Sequence, residues 1–147
     1  MSGAMGTREA GRQLFERQMK ASGLTCEALS GRGAHYLVRD PSITAPKPIR
    51  IRLTTSANAT FSLYSSTRDV GLLVYLWIRH SGECVTYALT YDEAYRIMRE
   101  KGYTNTHAWN VLGGYSVTHS GSELKGMLEA FQMSPKKWRD RIRNLSE

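Results

Sequence analysis

Arginine and lysine are the residues whose types and spacing in this chain point most directly to chemistry. Residues 32–52 hold Arg32, Arg39, Lys47, Arg50 and Arg52 against the single acid Asp40, and residues 136–143 hold Lys136, Lys137, Arg139, Arg141 and Arg143 against Asp140. Across all 147 residues, 20 Lys and Arg stand against 13 Asp and Glu, a formal net charge of +7. The planar guanidinium fork makes bidentate bonds to phosphate oxygens, and clusters of such groups favour a polyanion. Arg39, Arg50, Arg52 and the 136–143 stretch are therefore expected to contact phosphate, with double-stranded DNA as the partner. Candidates for base contact lie between Tyr103 and Tyr115. Asn105 and Asn110 can offer paired donor and acceptor atoms to a base edge, and His107 and Trp109 stand between them. Trp109 can stack or wedge against a base, or anchor its own loop in the core. The plainer role for Arg50 and Arg52 is to solvate the open side of a sheet.

Other chemistries find less in the sequence. His35, His80, His107 and His119 have no metal-ligand spacing, and Cys26 and Cys84 form no Cys-x-x-Cys pair. Cys84 sits among apolar neighbours in a strand-like run, which suits an inert core thiol rather than a nucleophile. Gly31–Arg32–Gly33 lacks the Gly-x-Gly-x-x-Gly spacing of a dinucleotide fingerprint. The sequence thus assigns no catalytic residue, no metal and no cofactor. The apolar run ending at Ile78 is about half of what a bilayer helix needs, so no membrane partner is expected. Two unpaired cysteines and no export-like leader favour a cytoplasmic setting. Met1–Gly6 reads as an expression-tag remnant ahead of one nucleic-acid-binding domain over residues 7–147.

These residues need elements to position them. Arg8–Ala21 carries an apolar stripe through Ala10, Leu14, Phe15 and Met19 and predicts a helix ended by Gly23. Leu24–Gly33 reads as a turn-rich connection, and Ala34–Arg39 as a strand. Three prolines make residues 40–48 a loop. Ile49–Arg50–Ile51–Arg52–Leu53–Thr54 alternates strictly, a half-buried strand with a polar stripe. Further strands are expected over Thr60–Tyr64, the apolar run to Ile78, and Cys84–Leu89. The apolar run must be covered on both faces, and helices near both ends of the sequence are available for that. Thr90 with Glu93, and Ser120 with Glu123, are capping boxes, while Ser134 with Pro135 opens a last helix that turns Trp138, Ile142 and Leu145 inward. Asn105 and His107 are read on an extended segment. The fold class that follows is α/β, a mixed central sheet flanked by helices.

This order resembles the core of the PD-(D/E)XK nucleases. Ile49–Arg50–Ile51–Arg52–Leu53–Thr54–Thr55–Ser56 resembles the strand that carries acid–apolar–lysine in active members, and Asp69–Val70 resembles the start of the apolar strand that follows it. The resemblance implies a restriction-endonuclease-like core. It also places Arg52 where the metal-binding acid stands and Thr54 where the lysine stands, with Asp40 near the first aspartate. Hydrolysis by Mg²⁺ needs converging oxygen ligands, and Arg52 beside Asp40 would neutralise the one carboxylate available. The expected function is a non-catalytic DNA-recognition domain of a restriction or DNA-processing system. The alternatives are a Mg-dependent endonuclease using Asp40 with Asp69 or Glu83, and a protein-interaction module, or homodimer, docking through its basic surface. The domain should leave duplex and single-stranded DNA intact in Mg²⁺ or Mn²⁺ under binding conditions. Metal-dependent cutting, abolished by Asp40→Ala or Asp69→Ala, is the result that would favour the endonuclease.

Overall fold

A computed structural model describes residues 7–30, 33–45, 47–57, 60–79, 81–118 and 121–146 of the chain. Readings that fall on Met1–Gly6, Gly31, Arg32, His80, His119, Ser120 and the Leu124 side chain lie outside the described residues. The elements run α1 (Thr7–Ala21), β1 (Thr25–Ala28), β2 (Tyr36–Arg39), β3 (Ile49–Ser56), β4 (Thr60–Tyr64), β5 (Leu72–Ile78), β6 (Cys84–Leu89), α2 (Tyr91–Glu100), β7 (Gly114–Thr118), α3 (Gly121–Leu128) and α4 (Pro135–Ser146). The main sheet has the order β1-β2-β3-β5-β6, with β4 and β7 forming a separate antiparallel pair. Every neighbour in the main sheet is antiparallel except β3 and β5, which run parallel from Ile51↔Leu72 to Ser56↔Trp77. A mixed α/β fold with helices flanking a central sheet is therefore present.

The alternation in β3 decides what lies on each face. Ile49, Ile51 and Leu53 share a face with Tyr36 and Val38 of β2 and with Leu72, Val74 and Leu76 of β5. Phe15 and Met19 of α1 and Trp138 and Ile142 of α4 pack on that face. Full burial of such a side chain contributes roughly 1.5–3 kcal/mol. Gln18 ties three elements together there: its Nε2 donates to Thr86 Oγ1 at 2.9 Å, and its Oε1 accepts from Trp138 Nε1 at 2.9 Å. A half-buried amide with both ends engaged specifies how the helices seat on the sheet.

On the opposite face, Leu73 and Tyr75 of β5 and Tyr87 and Leu89 of β6 are covered by Phe61 and Leu63 of β4, Ala94 and Met98 of α2, and Leu128 of α3. By the same register Arg50, Arg52 and Thr54 of β3 and Arg39 of β2 lie on this face, over its other half. The capping box at Thr90 and Glu93 forms as expected: Glu93 Oε1 accepts from Thr90 N at 2.8 Å, and Thr90 Oγ1 accepts from Glu93 N at 3.2 Å.

Helices from both ends of the chain cover the sheet, α1 and α4 together on one face and α3 with α2 and the β4–β7 pair on the other. Two expectations are corrected. The connection after α1 contains an edge strand, β1, in antiparallel register with β2 from Thr25↔Arg39 to Ala28↔Tyr36. Its exposed, polar sequence gives no apolar alternation to read. Asn105 and His107 are not on an extended segment: Tyr103–Asn105 is a 3₁₀ turn, and Ala108–Leu112 a π-helical turn ended by Gly113 at φ 72°.

Helix α1 crosses β3 closely because residue 11 is glycine. A Cβ there would overlap the Cβ as well as both γ atoms of Thr55, so rotating the threonine cannot make room. Gly11→Ala should therefore destabilise the protein by about 1–3 kcal/mol, overriding the helix-propensity gain of about 1 kcal/mol. Chemical denaturation measures this, and a stabilised variant would show that α1 does not sit as described.

Candidate functional site: an arginine-lined cleft

The ladder between β2 and β3 stops early, and the gap this leaves opens a cleft. Paired residues run from Val38↔Ile49 to Tyr36↔Ile51, with one further bond from His35 N to Ile51 O at 2.7 Å. At the next step a side chain takes the place of a backbone carbonyl: His35 Nδ1 accepts from Leu53 N at 2.9 Å. Beyond it the end of β3, the first turns of α1, and β4 with the turn Ser65–Thr67 enclose a cavity of about 880 Å³. Arg8 and Arg12, one helical turn apart on α1, enter its lining together with Arg52, His35 and the hydroxyl residues Thr54, Thr55, Ser62, Tyr64, Ser66 and Thr67.

The electrostatics of this cleft have one sign. No Asp or Glu is found among the described residues that line it. Among the described residues, ion pairs join Arg79 to Glu83, Arg141 to Glu93 and Arg143 to Asp40, and none involves Arg8, Arg12 or Arg52. Arg52 is held by a neutral group, its Nη1 donating to the Gly33 carbonyl at 2.5 Å, so the guanidinium is positioned without being neutralised. His35 responds to the field. Burial, then the charges of Arg52, Arg12 and Arg8, hold its pKa below 6.5. Because Nδ1 accepts the Leu53 amide, the neutral ring carries its proton on Nε2. The cleft therefore presents three cations, an imidazole donor and several hydroxyls, a donor set that fits an anionic oxygen cluster.

The expected site residues divide among three surfaces. Arg39, Arg50 and Arg52 share one sheet face, and Arg39 and Arg50 are exposed beside the cleft that Arg52 enters. Lys136, Lys137 and Arg139 are exposed on α4 and do not line the cleft. In the same helix Arg141 and Arg143 bond to internal acids. Arg141 bonds to Glu93, and Arg143 Nε to Asp40 Oδ2 at 2.7 Å. Asn105, His107 and Asn110 are exposed around the π-helical turn, while Trp109 is half-buried against Tyr95, with ring centroids 5.7 Å apart. Tyr103 and Tyr115 stack on each other with ring centroids 4.7 Å apart.

Asp40 also differs from expectation. Its neighbour is Arg143, not Arg52, and the carboxylate is buried at 3% exposure. The Ser42 hydroxyl at 2.6 Å and the Arg143 bond outweigh the burial, and its pKa falls to about 2. Arg8, Arg12 and His35 were not legible as site residues. The spacing of the two arginines around Gly11 was the available signal, but only the position of α1 on β3 makes it meaningful. Comparison with family models, with curated proteins and with solved structures gave no match.

A neutral His35 in the free protein has a measurable consequence. A group whose folded pKa lies below its unfolded value stabilises the fold fully above the unfolded value, here 6.5, and that contribution is lost as pH falls. An anion in the cleft should reverse the shift by screening the arginines and accepting from Nε2. Proton NMR should find the His35 titration midpoint below 6.5 in the free protein and higher in inorganic phosphate. A midpoint at or above 6.5 without phosphate would contradict the described cleft.

Proposed function

We propose that this protein is a non-catalytic DNA-binding domain that holds the phosphate backbone of a duplex in the Arg8–Arg12–Arg52 cleft. The observation that carries the reading is a cavity lined by three arginines, with no carboxylate among its described lining residues. Arg50 and Arg39 continue the basic stripe along the open half of the same sheet face. Phosphate contacts of this kind fix position and register, and sequence reading is left to other groups.

On this reading the sheet is a restriction-endonuclease-like core with lost chemistry. Support comes from β3, which runs parallel to the apolar strand β5 while carrying Arg52, Leu53 and Thr54 at the acid, apolar and lysine positions of the resemblance. Further support comes from the carboxylates. Asp40 is bonded to Arg143 and Ser42, and the register sets Glu83 at the opposite end of the sheet, with Asp69, just before β5, at the end where Asp40 lies.

Titration of a labelled duplex at several salt concentrations tests the proposal. Five phosphate contacts, from Arg8, Arg12, Arg39, Arg50 and Arg52, give an expected log–log salt slope of about −4 to −5. Arg12→Ala and Arg52→Ala should each make the slope shallower by about 1 and weaken all sequences alike, whereas Lys137→Ala should change neither. No binding at ~50 mM salt would sink the proposal. An effect of Lys137→Ala equal to that of Arg52→Ala would move the duplex to α4.

A further inference from the structure

A second, smaller cavity of about 370 Å³ lies on the other side of the Ser65–Thr67 turn from the arginine cleft, and its walls are aromatic. Tyr91 and Tyr95, one turn apart on α2, have ring centroids 6.3 Å apart and planes within 17°. The π-helical turn supplies Trp109, tilted 48° to Tyr95. Arg68 sets its guanidinium carbon 5.8 Å from the centre of the Tyr91 ring, and Asp92 completes the lining. The local backbone fixes Trp109 firmly: Thr106 Oγ1 donates to Tyr103 O at 2.7 Å and accepts from Trp109 N at 3.2 Å. The Tyr91 hydroxyl is buried, with Arg68 beside it.

The contents of this box select one ligand class. An aromatic lining of two tyrosines and a tryptophan suits a planar ring. A methylated or quaternary ammonium is disfavoured, because Arg68 already occupies the cation position over Tyr91 and would repel a second charge. A donor, Arg68, and an acceptor, Asp92, suit the polar groups of a nucleobase: guanidinium can donate to N7 and O6 on one edge of guanine, and carboxylate can accept from the amino group on its other edge. The position agrees. Ser66 and Thr67 line the arginine cleft and Arg68, the next residue, lines the box, so the two cavities are neighbours.

We propose that the Tyr91–Tyr95–Trp109 box receives one unpaired nucleobase, displaced from a strand whose phosphates lie in the cleft. This rests on the DNA-binding reading above. Displacing a base costs stacking and pairing energy, least where the base is already unpaired. A bulged duplex should therefore bind more tightly than a paired one.

The test measures binding of the full-length protein to two labelled duplexes, one fully paired and one carrying a single-guanine bulge. The bulged duplex should bind about tenfold more tightly, the scale of one base stacked on an aromatic side chain. Arg68→Ala, Asp92→Asn and Trp109→Leu should each bring that ratio towards one and leave the paired duplex within about twofold of wild type. Arg52→Ala should weaken both duplexes in parallel. Arg68 and Asp92 are exposed, so their variants decide the matter should Trp109→Leu prove unfolded by circular dichroism. Equal binding of the two duplexes by the wild type, or parallel losses in Arg68→Ala, would overturn the box and leave the cleft standing. Binding of neither duplex at ~50 mM salt would overturn both.

Discussion

The parallel pairing of β3 with β5 is the constraint on which the rest of this structure depends. Antiparallel neighbours can be joined by a tight turn, but a parallel pair obliges the chain to return from one end of the sheet to the other. Residues 57–71 make that return, and they carry β4 out of the main sheet. Once displaced, β4 needs a partner for its backbone groups and finds β7, and the pair lays Phe61 and Leu63 over Tyr75 and Leu73. The wall of the arginine cleft and the hinge between its two cavities, Ser65 to Arg68, both belong to this crossover. Sites that gather at the carboxyl end of parallel strands are a general result of such topology. Here the single parallel pair is enough to produce one.

Charge in this protein is divided by what holds each arginine. Arg141 and Arg143 lie against acids, and their bonds fix α4 to α2 and to the end of β2. Glu93 illustrates how such a site is built: burial works against its charge, yet the Arg141 bond and the Thr90 amide hold its pKa below the usual value. Arg52, by contrast, is oriented by a carbonyl oxygen and keeps its full charge. His35 then serves two purposes with one ring. It closes a sheet hydrogen bond that no backbone group supplies, and its low pKa keeps a fourth positive charge out of the cleft. A cluster of cations without acids is costly in an empty state, and exposure to solvent through an open cleft limits that cost.

Much of the local structure could be read along the chain, because its causes are local. The six-residue alternation in β3, the Thr90 capping box and the Ser134–Pro135 helix start each use residues within a few positions of one another. Strand β1 was hidden because Thr25–Ala28 has no apolar face and is a strand only through β2. The assignment of both Phe15 and Trp138 to one face could not be read either, since each helix alone is equally compatible with either side. Of the site, Arg52 was visible as part of a polar stripe. Arg8, Arg12 and His35 join it only through the length of β2 and the closeness of α1 at Gly11. Trp109 was conspicuous by type, but its ring partner proved to be Tyr95, from a helix whose sequence reads as ordinary core spacing.

The hydrogen bond from Trp138 to Gln18 links residues 120 positions apart, and the Arg143–Asp40 pair links residues 103 apart. On the ribosome, α1 and all the strands of the main sheet emerge well before α4 does. For that interval the apolar surface formed by Phe15, Tyr36, Val38 and Ile51 has no lid on the side that Trp138 and Ile142 later occupy. Contacts this remote in sequence form late and slow the final closure. The nascent chain is thus a species with a sticky half-finished sheet, and it has to be shielded or folded quickly to escape aggregation during synthesis.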